Sequence, residues 1–380
     1  MKFNKSYINN NAGFTLIELL VGMAIGLLVA LVIVQVLQIF ETQKRSTTGT
    51  ADAQTNGSIA LYNIGRELKV AGFPLMPAGS AGVADSPLEC ATLKKAGAVA
   101  NIGLLSPVVI TNGVAVAGVS PDSDTVTIHY GTSQSGGVTS RIGAVGGTIA
   151  TVASNFGCAV NDVTLVYKGV DCALSTATAV TGTTIAGGMS VTLQNASVAA
   201  VSADLACLGR WDTVAYAVNQ ATGNLERSVT DNAGVTVVTP VVAGVVNLQA
   251  QYGVSASASS NQIVQWVEPT GATWGATPTV ANRNLIKAVR IAVLARNAKP
   301  ETYAVSAACT QAVSPAPTSG ICAWQDVPAS TGALPSPITT ASPAPVISLS
   351  PGNANWARYH YRVLETIIPL RNMVWSKDTL

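Results

Sequence analysis

The sequence predicts an α+β fold: a long N-terminal helix packed on an antiparallel β-sheet domain that carries an enlarged, loop-rich insertion. Two patterns carry this expectation. From Leu19 to Phe40 no residue is charged, and about 22 residues of helix at about 1.5 Å each cross the hydrocarbon core of a bilayer. Beyond Pro74 the chain changes to short runs of alternating apolar and polar residues between turn signals, the period of half-buried strands.

The N-terminal segment is not ordered like a secretory signal, which has a basic region, an apolar region and then a small-residue cleavage site. Here Lys2 and Lys5 are followed by Asn9, Asn10 and Asn11, then Ala12 and Gly13, and only then the apolar run. The small residues precede the hydrophobic segment, so a cut among them leaves that segment on the mature chain. After Phe40 the chain is polar to Asn56, and Gly49 and Gly57 weaken a helix without forbidding it. Leu61, Ile64, Leu68 and Ala71 recur at a spacing of three to four and mark one apolar face. Gly72-Phe73-Pro74 stops the helix. Continuous from Phe14, it is about 59 residues and nearly 90 Å long. The expected divisions are residues 1–13, a membrane-length helix over 14–40, an amphipathic continuation over 41–73, and a β-rich domain over 74–380.

Strands are expected at Thr125–Tyr130, Val163–Tyr167, Thr213–Val218, Ile263–Val267 and Val289–Val293, with a longer β-rich stretch from Val241 to Tyr252. Asn112-Gly113 and Gly223-Asn224 are turn signals between them. Residues 173–200, rich in Thr, Ala, Ser and Gly, read as further exposed β-structure or a long loop. Prolines recur among Ser, Ala and Thr from Ser314 to Pro351, which indicates an extended or irregular segment.

Cys90, Cys158, Cys172, Cys207, Cys309 and Cys322 form an even set beyond the apolar run. None makes a C-x-x-C pair and the chain has 2 histidines, which argues against a zinc site and for disulfides in an oxidising compartment. Pairing nearest neighbours joins Cys158 to Cys172 and Cys309 to Cys322, leaving Cys90 with Cys207. Charged residues are 11% of the chain, so its surface must be rich in Ser, Thr, Asn and Gly. Setting Lys2 and Lys5 aside leaves 19 of the 21 basic side chains against 19 acidic ones, which argues against nucleic acid as a partner through bulk electrostatics.

One charge stands out. Glu18 lies at the head of the apolar segment, where a carboxylate is expensive and needs a partner. A carboxylate near a helix N-terminus is favoured by the helix dipole. The bland alternative is a single-pass anchor with Glu18 among headgroups.

Elsewhere no constellation meets the needs of catalysis, and neither an enzymatic activity nor a cofactor is expected. His129 and His360 are far apart in sequence, and a strand histidine is more often a packed or surface side chain than a base. Gly-x-Ser-x-Gly and the phosphate-cradling Gly-x-x-x-x-Gly-Lys-Ser/Thr are absent. Asp122 and Asp124 read as turn carboxylates in solvent before they read as a calcium loop. The six tryptophans are scattered, as core and interface residues usually are.

Gly13-Phe14-Thr15-Leu16-Ile17-Glu18 with its apolar helix resembles the prepilin peptidase site of type IV pilins and type II secretion pseudopilins. The resemblance implies a cut between Gly13 and Phe14, N-methylation of Phe14, and a registry role for Glu18 against the amine of a neighbouring subunit. Asp124–Gly131, Tyr216–Val218 with Gly223–Arg227, Gly244–Gly253, Val289–Arg296 and Tyr361–Asn372 resemble, in order, stretches of PilW-type minor pilins. Pro369 departs from the usual pattern and suggests an edge or strand end. A pilin-like fold follows, with residues 1–13 as the leader peptide and the first half of the helix in membrane or filament core. The implied role is in initiating or capping a type IV pilus, for which a mature chain of about 367 residues is better suited at a tip than in every repeat. Implied partners are prepilin peptidase, other minor pilins and the major pilin, the inner-membrane assembly platform and a tip adhesin. The implied location is the bacterial inner membrane, single-pass with the globular domain periplasmic, then the pilus at the cell surface. The alternatives are a J-type pseudopilin at the tip of a secretion pseudopilus, and a pilus-displayed adhesin or DNA-binding module.

Overall fold

The computed structural model describes residues 15–75, 90, 92–95, 105–113, 123–169, 171–182, 188–195, 201–258, 260–275, 278–310, 320–324, 347–349 and 354–375. The chain divides into two compact units, Met1–Gly49 and Thr50–Leu380, and one helix, Leu16–Leu68, contributes residues to both. In the first unit the apolar residues from Leu16 to Phe40 are exposed on every side of the helix.

In the second unit the helix buries a narrow face made of Ala53, Gly57, Ala60, Ile64 and Leu68, at intervals of three and four. Leu61, expected on this face, is half-buried at its margin. Small residues hold the centre because the sheet comes close there. A Cβ on Gly57 would collide with the δ-methyl of Leu364, and one on Gly65 would lie 3.5 Å from the Cδ1 of Ile368. After Leu68 the chain turns at Gly72, whose φ of +77° suits glycine. Its N–H donates to the His129 carbonyl at 2.8 Å, so the end of the helix is tied to a strand.

Two sheets share a core with that face. A five-stranded antiparallel sheet runs in the order Thr236–Ala243, Asn224–Thr230, Trp211–Asn219, Thr125–Gly131, Val108–Thr111. A four-stranded antiparallel sheet runs in the order Ile263–Val267, Val245–Ser255, Ile286–Arg296, Tyr361–Pro369. Ile128, Val214 and Tyr216 from the first meet Leu248, Tyr252, Val289 and Ile291 from the second in one cluster with Ala60 and Ile64. Asp124 sutures the two, its carboxylate accepting from the N–H of Gly113 at 3.0 Å and of Ala250 at 2.8 Å. It is fully buried, which corrects the expectation of a solvated turn carboxylate; Asp122 lies outside the described residues. Pro369 ends the edge strand of its sheet, opposite Ala288.

The second face of the four-stranded sheet is also covered. Val246, Ala292 and Leu294 pack there against Ile321, Ala323, Trp324 and Leu349. The strands Val245–Ser255 and Ile286–Arg296 are therefore buried almost without interruption.

The insertion sits between Gly131 and Trp211, which are paired neighbours in the five-stranded sheet. Its strands close on themselves: Asp171–Thr181 pairs with Val163–Lys168, then follow Asp204–Gly209, Thr139–Gly146, Ile149–Val152 and Met189–Leu193, which returns to Asp171–Thr181. This small barrel has a core of its own, including Ile142, Val166, Ala177, Val191, Leu193 and Leu205. The stretch 173–200 supplies two of its strands, and 183–187 and 196–200 lie outside the described residues. A further strand, Thr92–Lys95, runs parallel to Asp171–Leu174.

Three disulfides join Cys90 to Cys172, Cys158 to Cys207, and Cys309 to Cys322. The Cys158–Cys172 and Cys90–Cys207 pairs expected from sequence distance are thus replaced. Barrel closure is the reason: the parallel pairing of Thr92–Lys95 sets Cys90 beside Cys172, with Cα atoms 5.6 Å apart. Cys207 reaches the loop that holds Cys158, with Cα atoms 5.3 Å apart.

Filling the closest helix–sheet approach tests this packing. Gly57→Val is expected to destabilise the chain by about 1–3 kcal/mol in urea unfolding, through overpacking against Leu364. Adding Leu364→Ala should recover part of the loss, and equal stabilities for Gly57→Val and wild type would contradict the close approach.

Candidate functional site

Thr15 and Glu18 cap the helix reciprocally. The N–H of Thr15 donates to Glu18 Oε2 at 3.0 Å, and its hydroxyl donates to the same oxygen at 2.9 Å. In return the Glu18 N–H donates to Thr15 Oγ1 at 3.3 Å. This is a capping box, in which an N-cap threonine and a glutamate three residues on satisfy each other's backbone donors. Gly13 and Phe14, the expected processing residues, lie outside the described residues. Thr15 was not singled out from the sequence, although threonine followed three residues later by glutamate before an apolar run is a legible signature.

The helix behind this head is long and apolar enough to cross a membrane. Its exposed side chains do not cover it evenly. Nothing lies within 4 Å of a Cβ built on Gly22 or Gly26. Four residues apart, they expose backbone on one face, the kind of surface to which a second helix can come close.

Where the helix joins the sheets, a charged cluster is sealed in. Glu67 is 5% exposed and accepts from Arg227 Nη2 at 2.9 Å and Nε at 3.2 Å. Tyr216 donates to the Asn63 carbonyl at 3.3 Å. Burial, and after it the Glu67 charge, pushes the Tyr216 phenol up to about 12. Burial first, then Glu67, raises Tyr130 as well. Both phenols therefore stay neutral donors around one ion pair that links helix to sheet.

Two protein families match the chain. The prokaryotic N-terminal methylation motif covers residues 8–34, which include the capping box and the start of the apolar helix. Type IV Pilus-assembly protein W covers residues 215–372, which include most of the helix-facing sheet strands and Arg227. Together the two matches support a PilW-type type IV minor pilin. None of the curated proteins and none of the solved structures matches it.

Pilin-family domains are structural rather than catalytic. His129 is 4% exposed, and its Nδ1 lies 2.6 Å from the Ser106 carbonyl oxygen, to which it donates. Burial outweighs that bond and pushes the imidazole down to about 4. Nε2 of His360 lies 3.5 Å from Glu301. Trp211 and Trp274 are core residues. Trp266 and Trp324 enclose Arg290, whose Cζ lies 5.1 and 4.2 Å from their ring centroids. Gln251 accepts from that guanidinium and donates to Glu268, while the backbone N–H of Trp324 donates to Glu365 at 2.6 Å. Burial still pulls Arg290 down to about 10. The cage fastens the segment containing the Cys309–Cys322 disulfide to the four-stranded sheet.

Two measurements test these assignments. In detergent micelles, Thr15→Val should speed amide exchange at Glu18 by about two- to thirty-fold, the loss of a cap being worth about 0.5–2 kcal/mol, and Thr15→Ser should not. Unchanged exchange in Thr15→Val would remove the capping box. For His129, the unfolded side chain takes up a proton near pH 6.5 that the fold refuses until about pH 4. Stability is complete above that window and falls by roughly 3 kcal/mol or slightly more as pH drops through it. His129→Gln should flatten this part of the pH–stability curve, and an unaltered slope would place the titration elsewhere.

Proposed function

We propose that this minor pilin takes part in initiating or capping a type IV pilus at its tip. The observation that carries the reading is Glu18, capped at the head of an apolar helix with no other charge as far as Phe40 and exposed on every side. Such a helix needs an apolar surrounding, first bilayer and then filament core. Residues 1–13 act as the leader, 14–40 as the segment that moves from membrane to filament, 41–73 as its amphipathic continuation and 74–380 as the displayed domain.

Prepilin peptidase cuts between Gly13 and Phe14, and the freed, methylated amine stands beside the capping box. In the subunit alone Glu18 is satisfied by Thr15; in a filament it exchanges part of that bonding for the Phe14 amine of a neighbour. The exchange is favourable at apolar depth, where an unpaired ammonium costs far more than a displaced hydroxyl. Pairing therefore checks registry at each addition. Gly22 and Gly26 give the neighbouring helix a place to come close. The size of the barrel-bearing domain supports a place at the tip, next to other minor pilins and a tip adhesin, after release from the inner-membrane assembly platform.

Glu18→Ala in the native host tests this. The variant should be cut before Phe14 yet be missing from surface pili or leave few of them, while immunogold labelling of wild type marks pilus ends. Wild-type piliation with normal incorporation of Glu18→Ala would refute the registry role, and label spaced along the shaft would refute the tip assignment.

A further inference from the structure

The strand Thr236–Ala243 is the outer edge of the five-stranded sheet, paired with Asn224–Thr230 alone among the described residues. From Thr236 to Pro240 it is exposed on both faces, Val237 and Val238 at 58% and 55%. From Val235 to Ala243 it has no charged residue. Natural sheets rarely leave a long, uncharged, valine-rich edge open, because its unpaired N–H and C=O groups are a template for another strand.

The inner ladder fixes which groups face outward. The Asp231 N–H donates to the Val235 carbonyl at 3.1 Å, so those two form a hydrogen-bonded pair at the hairpin end. Antiparallel pairs alternate between bonded and non-bonded. Val229 with Val237 and Arg227 with Thr239 are then bonded, while Thr230 with Thr236, Ser228 with Val238 and Glu226 with Pro240 are not. The 2.8 Å contact between the hydroxyls of Thr230 and Thr236 agrees, since side chains stand closer in non-bonded pairs. The open edge therefore presents the N–H of Thr236 and Val238 and the C=O of Thr236, Val238 and Pro240. Proline has no N–H, and beyond the bulge that follows it the bonded pair of Gly244 with Gly223 turns the Ala243 N–H outward again.

This pattern is self-complementary. When a second copy runs antiparallel with Val238 opposite Val238, the two Val238 residues exchange both of their bonds. Each Thr236 N–H meets the Pro240 carbonyl of the other copy, and the missing donor of each proline falls opposite a Thr236 carbonyl. The outward N–H groups of Thr236 and Val238 find acceptors, Val237 stands beside Thr239 of the other copy, and no like charges meet. We propose that two copies of this chain pair through Thr236–Ala243 about a two-fold axis at Val238. The pairing is isologous, the usual form for a closed dimer, and it does not depend on the filament role proposed above.

The test uses the full chain in detergent micelles, where sedimentation should show a dimer. Val238→Pro removes an outward N–H and leaves the inner ladder untouched; it should shift the chain to monomer with an unchanged melting curve. Val238→Cys should cross-link to its own copy under mild oxidation. Val237→Cys should not, since diagonal neighbours are too far apart for a disulfide. Among the described residues all other cysteines are bonded, so the added thiol reports alone. A monomeric wild type without cross-linking at position 238 would overturn the proposal, as would a dimer that survives Val238→Pro or cross-links through Val237→Cys instead. A monomeric chain whose entry into pili is nevertheless lost in Val238→Pro would also overturn self-pairing, and would give the edge to a strand of another subunit. Should Val238→Pro not fold, the two cysteine variants decide.

Discussion

Helix and sheets meet at backbone distance, and that closeness governs how the large domain is put together. Ala53, Gly57 and Ala60 give the helix a bare face, and Leu364 and Ile368 occupy the space that larger side chains would have filled. Glycine within a helix costs about 1 kcal/mol relative to alanine, a cost that tertiary packing offsets here. With the helix held so near, Ile64 and Leu68 reach residues from both sheets, and a single core forms instead of two.

Three charged groups buried in this packing are each held by partners from distant parts of the chain. Glu67 takes two bonds from Arg227 and lies among two tyrosines held neutral by burial. Asp124 is bonded by backbone amides of a loop and of the second sheet. Arg290 is held by two indoles and Gln251. Each joins elements that are distant in sequence, and charged groups in such settings favour one arrangement over its near alternatives. Register and docking are thereby set together.

Much of this was legible in the chain, and the parts that were not have a common cause. The apolar run, the capped head and the alternating strands are local patterns, readable in windows of a few residues. Val289-Arg290-Ile291-Ala292-Val293 does alternate, but alternation reports two faces and not whether the second is wet. Here Trp324, 34 residues further along, covers it. Two of the three expected disulfides failed for the same reason, since sequence distance says nothing of a barrel that brings Cys207 back to Cys158. The face centred on Ala60 was passed over for Leu61 because alanine and glycine give a weak hydrophobic signal where they matter most for close approach. The open edge at Thr236–Ala243 is a property of sheet order, which residues alone do not state.

The barrel enters and leaves through Gly131 and Trp211, residues already paired with one another. Its own core and the Cys158–Cys207 bond lie within it. It is also tied from outside: Val163, Leu165 and Leu174 share the main core with Ile64 and Leu68, and the Cys90–Cys172 bond and the strand Thr92–Lys95 hold its flank. The matched family region starts at residue 215, just past that attachment. The insert thus has two kinds of position: those that face its own interior can vary with one another, whereas Val163, Leu165 and Leu174 are constrained by the helix-bearing frame they help to pack.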